Sequence, residues 1–362
     1  MKTGKVLAAM SGGVDSSAAT ALLKKEGHEI IGVTMRVWED PVGTEKRHGA
    51  CCALDDADDA RRVADRLDIP HYVLNVKKEF KEQVVDKFVN EYVSGRTPNP
   101  CVLCNGIIKF DYLFRQGEKY GAKYVATGHY AQTGSFRDFP VIMRGVDRNK
   151  DQSYFLFSIK PENVGRILFP LGALEKSETR KIAHSFDLNV AEKAESQEIC
   201  FIPDNNYANL IKSSFNTGAG VTAGEIINGD GIVIGQHKGY AHYTIGQRRG
   251  LGIANATPLY VTAIEPETNR VIVGQKSDVY GKTLQASSMN WFVPPQEICD
   301  LTLTARIRHN HDDSVADVKA LGNNEAVIEF KTPQLAIAPG QAIVIYHENV
   351  VVGGGWIEKR IA

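Results

Sequence analysis

Ala8-Ala9-Met10-Ser11-Gly12-Gly13-Val14-Asp15-Ser16-Ser17 is the stretch that decides the fold. Lys5-Val6-Leu7-Ala8-Ala9 leads into it and reads as a short buried strand. Ala18 to Lys25 follows it, rich in helix formers, and Gly27 supplies a stop signal. A Gly-rich turn between a strand and a helix leaves backbone N–H groups open at a helix N-terminus, which is a ready anion site. Gly12 and Gly13 let the backbone approach a phosphate more closely than a residue with a Cβ could. Ser11, Ser16 and Ser17 add hydroxyl donors. Asp15 puts an acid into a loop that otherwise attracts anions, and a magnesium ion on the same phosphates is the economical reason for it.

Working outward, strand and helix alternate. Glu29 to Thr34 reads as a second strand with Met35 just past its end, Ile69 to Asn75 as a third, and Tyr124 to Tyr130 as a fourth. Phe80 to Tyr92 is amphipathic at helical spacing. Such alternation favours a doubly wound parallel sheet, in which ligands bind at the C-terminal edge of the strands. Met35, Gly128 and His129 fall at that edge. Residues 36–50 read as a mobile loop, with Cys51 and Cys52 packing at the next helix entry. The acids of Asp55-Asp56-Ala57-Asp58-Asp59 suit the first turn of that helix and Arg61-Arg62 its later part, matching the helix dipole. Residues 161–187 are expected to be helical, starting anew near Ser177-Glu178-Thr179-Arg180.

Two thiol sites stand out. Ser94-Gly95-Arg96-Thr97-Pro98-Asn99-Pro100-Cys101-Val102-Leu103-Cys104-Asn105 reads as irregular backbone before a helix starting near Gly106. A thiol at a helix N-terminus has a lowered pKa, as a nucleophile or metal ligand needs. A single Cys-x-x-Cys leaves zinc, redox and iron–sulfur roles open. Glu195-Ser196-Gln197-Glu198-Ile199-Cys200-Phe201 carries the second site. Between them, Lys150, Asp151 and Gln152 lie in a charged loop suited to a substrate or to solvent.

After about residue 205 helical periodicity fades and short Val/Ile strands separated by Gly turns take over. The expected domains are an ATP-binding catalytic domain over 1–205, a small β domain over 206–285 and a β-barrel-like domain over 286–362. Gly239 to Gly252 mixes aromatics with Arg248-Arg249 and reads as an RNA-facing surface. Arg306, Arg308 and Lys319 are candidate phosphate contacts or the polar face of a sheet.

The 362 residues carry 42 basic and 43 acidic side chains, a net charge of −1. The charges balance on both sides of residue 205, so any nucleic-acid site must be a local patch. No signal peptide or long apolar run is visible, so a soluble, cytoplasmic protein is expected, without a membrane partner. Six cysteines in a chain of this length are thiols, ligands or catalysts rather than a secreted disulfide framework. No self-complementary apolar surface is readable, so a monomer is expected.

The loop lacks the Gly-Lys-Ser/Thr of a P-loop and the glycine spacing of a dinucleotide fold. It resembles the PP-loop, Ser-Gly-Gly-x-Asp-Ser, of ATP pyrophosphatases, which use ATP to adenylate an oxygen and release pyrophosphate. Ser11 to Ser17, Thr97-Pro98-Asn99-Pro100, Leu103-Cys104-Asn105, Gly128-His129-Tyr130, Lys150 to Leu156, Ser196 to Phe201 and Tyr243 to Gly250 together resemble the tRNA-specific 2-thiouridylases, in order and over most of the chain. The resemblance implies ATP-dependent 2-thiolation of the wobble uridine in the anticodon stem-loop of tRNAs for Lys, Glu and Gln. ATP adenylates uracil O2, pyrophosphate leaves, sulfur attacks C2 and AMP departs. It implies that Cys200 carries a persulfide supplied by a sulfur-relay protein or cysteine desulfurase, and that Cys104 is the nucleophile, leaving a Cys104–Cys200 disulfide.

By the same resemblance Ala9, Met10, Ser11, Gly12, Gly13, Val14, Asp15, Ser16, Met35 and Gly128 match the ATP site. Asn99, Pro100 and Cys101 match the strip that meets the target base. His129, Lys150, Asp151, Gln152, Arg308, His309 and Gln341 match tRNA contacts. A segment around 190–203 is expected to be mobile and to close over tRNA. This chain departs from the family at Cys101, often Asp there, and at Lys193-Ala194-Glu195-Ser196, often Lys-Pro-Asp-Ser. Cys101, Cys104 and Cys200 could then ligate a [4Fe–4S] cluster that delivers sulfide, as an alternative to the persulfide. A PP-loop ligase or amidotransferase adenylating a small molecule explains the loop but not the cysteines. A non-catalytic RNA-binding protein with a degenerate nucleotide fold is a second alternative, and the intact PP-loop argues against it.

Overall fold

The computed structural model describes residues 4–38, 54–193, 199–202, 210–211 and 220–361. Cys51, Cys52 and most of the expected loop over 36–50 lie outside the described residues. The chain separates into two compact units. The first holds residues 1–84, 101–203 and 349–352; the second holds 85–100, 204–348 and 353–362.

The first unit is built on a five-stranded parallel sheet. Its strands are β1 (Lys5–Ala9), β2 (Glu29–Arg36), β3 (His71–Asn75), β4 (Tyr124–Ala126) and β7 (Ile167–Leu168), in the order β3-β2-β1-β4-β7. Pairing is parallel throughout, with Leu7 opposite Ile31 on one side and opposite Val125 on the other. Strand order reverses at β1, so the chain leaving β1 enters the crevice where open α/β sheets bind ligands. That chain is Met10 to Gly13, followed by α1 (Val14–Lys25). β1 is buried on both faces and reads as an apolar run for that reason. Ala18, Ala21 and Leu23 of α1 pack with Val6, Ile30 and the residues Ala60, Val63 and Ala64 of α2 (Leu54–Arg66).

Three expectations are corrected. β2 continues to Arg36, so Met35 lies inside the strand, opposite Leu74, rather than past its end. Residues 161–187 are not one helix: a 3₁₀ segment Pro161–Arg166 runs into β7, and α7 (Lys176–Ser185) follows. Glu175 caps α7 in a box with Glu178, two residues ahead of the expected start. The third concerns the thiols. The helix begins at Pro100, not near Gly106: after α3 (Lys77–Phe80) and α4 (Asp86–Val93), α5 (Pro100–Leu103) leads directly into a π-helix, Cys104–Asp111, and then α6 (Tyr112–Lys119). Proline suits the first helical position because its missing N–H would have no intrahelical partner there. Pro100 therefore starts the helix that Pro98 is excluded from.

The hairpin of β5 (Ala131–Phe136) and β6 (Phe139–Arg144) completes the first unit, with Val350 pairing to Met143.

The second unit carries two β modules. β8 (Gly224–Asn228), β9 (Val233–His237), β10 (Tyr260–Glu265) and β11 (Arg270–Gly274) form a sheet in the order β10-β11-β8-β9, around a core with Ile226, Tyr240, Val261, Val271 and Val273. β12 (Tyr280–Trp291), β13 (Thr304–Arg306), β14 (Ser314–Leu321), β15 (Glu325–Leu335), β16 (Ala342–His347) and β17 (Val350–Arg360) run in the order β12-β15-β14-β13-β16-β17, and β12 also pairs with β17. That last pairing closes a six-stranded barrel and removes its edges. The expected fold class, a parallel α/β sheet followed by two small β modules, is the one observed. Among the described residues no helix is long and apolar enough to cross a membrane.

Candidate active site

The loop after β1 is built by close approaches that only glycine permits. Gly12 has φ +72° and a Cβ there would lie 2.1 Å from the carbonyl oxygen of Asp56. Gly13 precedes α1 in extended conformation, and its carbonyl accepts from Ser16 Oγ at 3.1 Å and Ser17 Oγ at 2.9 Å. Ser16 Oγ also accepts from the Ser11 backbone N–H at 3.1 Å. The hydroxyls thus brace the turn. From β2, Thr34 donates to the Met10 carbonyl at 2.7 Å. β4 ends at Ala126 rather than at the expected Tyr130, and just beyond it Gly128 faces the start of α1: a Cβ on it would meet Asp15 C and Ser16 N at 2.7 Å. The expected ATP-site residues Ala9 to Ser16 and Gly128 are therefore gathered at one sheet edge, and Met35 sits buried in the neighbouring strand.

Lys176, in no motif of the sequence, and Tyr130 and Lys193, quoted there only as motif members without a role, complete the loop's surroundings. Lys176, the first residue of α7, donates to both carboxylate oxygens of Asp15, at 2.7 and 2.9 Å. Tyr130 donates its hydroxyl to Asp15 Oδ1 at 2.9 Å and lies at the same distance from Thr179 Oγ1. Lys193 donates to the Gly12 carbonyl at 3.1 Å, to Asp56 at 2.6 Å and to Asp59 at 2.7 Å. Burial pulls the Lys193 ammonium toward neutrality, but its hydrogen bonds to Asp56 and Asp59 outweigh that and raise it above the ordinary lysine range. Asp56 and Asp59 thus do more than match the helix dipole.

Both thiol sites fall in the first unit. Cys101 is exposed in the first turn of the new helix, and Cys104, half-buried, opens the π-helix. π-turns are rare and concentrate at functional sites. The turn is fixed from beneath: Asn105, buried, donates to the Phe155 carbonyl at 3.3 Å, and Gly106 leaves no room for a Cβ against Ser158. Cys200 is half-buried beside Phe201, which packs on Phe80 and Trp38 with ring centroids 5.6 and 6.2 Å away. Of the expected mobile segment 190–203, residues 194–198 and 203 lie outside the described residues. Its flanks Val190, Ala191, Phe201 and Ile202 are buried.

His129 is buried between Phe110 and Phe169, with Nδ1 2.7 Å from Thr127 Oγ1. Burial, reinforced by Lys109, holds it well below the usual histidine range, so the ring is neutral. Asp151 is turned inward, accepting from Gly145 N, Ser153 N and Ser153 Oγ, with Arg144 at 3.9 Å. Gln152 accepts from Tyr130 N at 3.0 Å. Of the loop's expected RNA-facing residues, Asp151 and Gln152 thus shape it, while Lys150 is half-buried.

In the second unit, Gln341 donates to the carbonyls of Thr97 and Pro98 at 2.9 and 3.1 Å, and Thr97 N donates to Pro339 O. Arg96 bridges Glu91 and Glu358. Arg308 donates to the Ala336 carbonyl at 2.6 Å, next to His309, and Arg248 and Arg249 are exposed.

Among the described residues no three His, Cys, Asp or Glu side chains gather as a metal site. Cys101, Cys104 and Cys200 are thus not gathered as a cluster site among the described residues. Asp15, the acid of the loop, could touch a magnesium ion that would arrive on the nucleotide's own phosphates.

Three family models match the chain in series. They are described as a tRNA methyl transferase HUP domain over residues 4–204, a tRNA methyl transferase PRC-barrel domain over 215–275 and an aminomethyltransferase beta-barrel domain over 281–357. A tRNA-specific 2-thiouridylase MnmA from Geobacter metallireducens is 46% identical, over 99% of this chain and 97% of that protein. The protein of that name from Lachnoclostridium phytofermentans is 44% identical, over 98% of this chain and 99% of its own length. Likeness of this extent, end to end, places the chain in the tRNA-specific 2-thiouridylase family.

Proposed function

We propose that this chain is a tRNA-uridine 2-sulfurtransferase that adenylates the wobble uridine with ATP and replaces its O2 by sulfur. The observation that carries the proposal is the braced Ser11–Ser17 loop at the reversal point of the parallel sheet, in the same unit as two half-buried thiols on separate segments. The loop N–H groups at the head of α1 would hold the phosphates. Uracil O2 attacks the α-phosphorus, the bond to the β-phosphate breaks, and pyrophosphate leaves with the electron pair. The O2–AMP group is then a leaving group that O2 alone is not.

Cys200 is assigned the persulfide, received from a sulfur-relay protein or cysteine desulfurase. Its terminal sulfur attacks C2. Cys104 attacks the inner sulfur of Cys200, forming the Cys104–Cys200 disulfide as the S–S bond to the transferred atom breaks. AMP departs and C2 keeps the sulfur. An external reductant, a thiol, resets the disulfide. Asn99, Pro100 and Cys101 would meet the base, which must leave the anticodon stack at a cost of a few kcal/mol.

Nucleoside mass analysis tests this. Metal-free protein is incubated with ATP, magnesium, unmodified tRNA and a persulfide donor. Wild type is expected to form 2-thiouridine, and Cys104→Ser and Cys200→Ser to form none while still releasing pyrophosphate. Thiolation by either variant at the wild-type rate removes the two cysteines from the mechanism. Pyrophosphate release without any thiolated uridine from wild type turns the assignment toward a small-molecule ligase.

A further inference from the structure

Asp15 is the acid of the Ser11–Ser17 loop, and a carboxylate beside a phosphate site repels what the loop attracts. The structure answers this with a lysine from 161 positions along the chain. The Lys176 side chain is largely buried, at 12% exposure, and lies 5.7 Å over the Tyr130 ring. Its backbone is fixed independently, by the Glu175–Glu178 capping box and by Lys176 N donating to Asp147 Oδ2 at 3.1 Å. What can move is the side chain, a compact charge on a four-carbon stem. Tyr130 also donates to Asp15 Oδ1, with Thr179 Oγ1 beside the same hydroxyl, so Asp15 keeps a partner if the ammonium swings away.

We propose that Lys176 is a phosphate-binding catalytic residue: its ammonium, seated on Asp15 in this structure, is the cation that meets the pyrophosphate portion of the nucleotide. The inference deepens the adenylation reading above and rests on it. When uracil O2 attacks the α-phosphorus, the electron pair of the broken bond leaves on pyrophosphate. Lys176 neutralises that developing charge without giving up a proton. A cation placed where charge develops is worth more in a water-poor site than in solvent.

Binding is read by calorimetric titration at fixed magnesium, with inorganic pyrophosphate, ATP and adenosine as separate probes. Lys176→Met is expected to lose about tenfold or more in affinity for pyrophosphate and ATP, the usual scale of one charge-assisted contact, and roughly twofold or less for adenosine. Tyr130→Phe, which keeps the ammonium, is expected to lose less than Lys176→Met for both phosphorylated probes. Should the methionine variant fail to fold, Lys176→Gln is measured in its place. Unchanged pyrophosphate affinity overturns the assignment, and so does a parallel fall for adenosine, which would make Lys176 only a prop for the loop. A Tyr130→Phe loss equal to that of Lys176→Met overturns it too. Wild-type protein binding neither ATP nor pyrophosphate defeats the nucleotide reading and this inference together. Wild type that binds both but forms no 2-thiouridine defeats the proposed function and leaves Lys176 standing.

Discussion

Gly128 shows how little space one residue leaves at this site. A methyl group there would press on the backbone of Asp15 and Ser16, which cannot yield as a flexible side chain would. Overpacking of this kind costs about 1–3 kcal/mol. Gly128→Ala is therefore expected to lower the melting temperature by a few degrees and to weaken ATP binding more than tenfold, in thermal denaturation and nucleotide titration, by about the magnitude of one lost loop contact. Gly12→Ala should be worse in both, because its Cβ meets Asp56 O at 2.1 Å and its φ is positive. A Gly128→Ala protein with unchanged ATP affinity would separate β4 from the phosphate site. Both glycines were legible in the sequence, one within a Gly-Gly turn and one at a strand end. Lys176 was not. Nothing local marks a lysine at a helix start as the partner of an acid so far along the chain, and only the folded sheet brings the two together.

At the scale of elements, α2 is tied to the loop by one ammonium. Lys193 compensates Asp56, which is 6% exposed, and caps the Gly12 carbonyl. Removing one partner of a buried pair costs about 3–5 kcal/mol, and the partial exposure of Lys193 and Asp59 brings the expected cost of Lys193→Met to roughly 2 kcal/mol. Adding Asp56→Asn should recover part of it in a double-mutant cycle; strict additivity would mean the pair is not coupled. His129, in the segment that follows β4, couples stability to pH. His129 is neutral when folded and takes a proton when unfolded, once pH falls below about 6.5. The unfolded state then binds more protons, so stability present above pH 6.5 declines as pH drops toward the depressed folded value. His129→Gln should flatten that decline between pH 6.5 and 5 in urea titrations, at some cost in packing against Phe110 and Phe169. An unchanged slope would place the acid sensitivity elsewhere. The acidic run of α2 was legible as a helix start, whereas its grip on Lys193 was not. The helix start at Pro100 is hidden in the sequence because two prolines two apart read alike, although one ends extended chain and the other begins a helix.

For the whole molecule, the alternation of strand and helix up to about residue 205, and its replacement by Gly-punctuated strands, made the fold class readable. The allegiance of Val85–Pro100 was not readable. This segment belongs to the second unit, where Tyr240 donates to Val93 O, Arg96 pairs with Glu358 and Gln341 holds Thr97 and Pro98. Each partner lies more than a hundred residues onward, beyond any local pattern. Charge is the property of the whole chain that bears most on RNA. With a net charge of −1, the protein offers no general basic field, so tRNA binding must draw on a few placed cations. Each phosphate neutralised adds about 0.7–0.9 to the slope of log affinity against log salt. Arg308→Gln is expected to weaken tRNA binding and to reduce that slope by about 1. Arg306 is already paired with Asp313 at 2.8 Å, so Arg306→Gln should change the slope less. The check is filter binding of unmodified tRNA across a salt series for wild type and both variants. Equal slopes for wild type and Arg308→Gln would remove Arg308 from the RNA contacts. A larger change for Arg306→Gln would mean that Asp313 gives up its partner when tRNA binds, and the phosphate contact would then belong to Arg306.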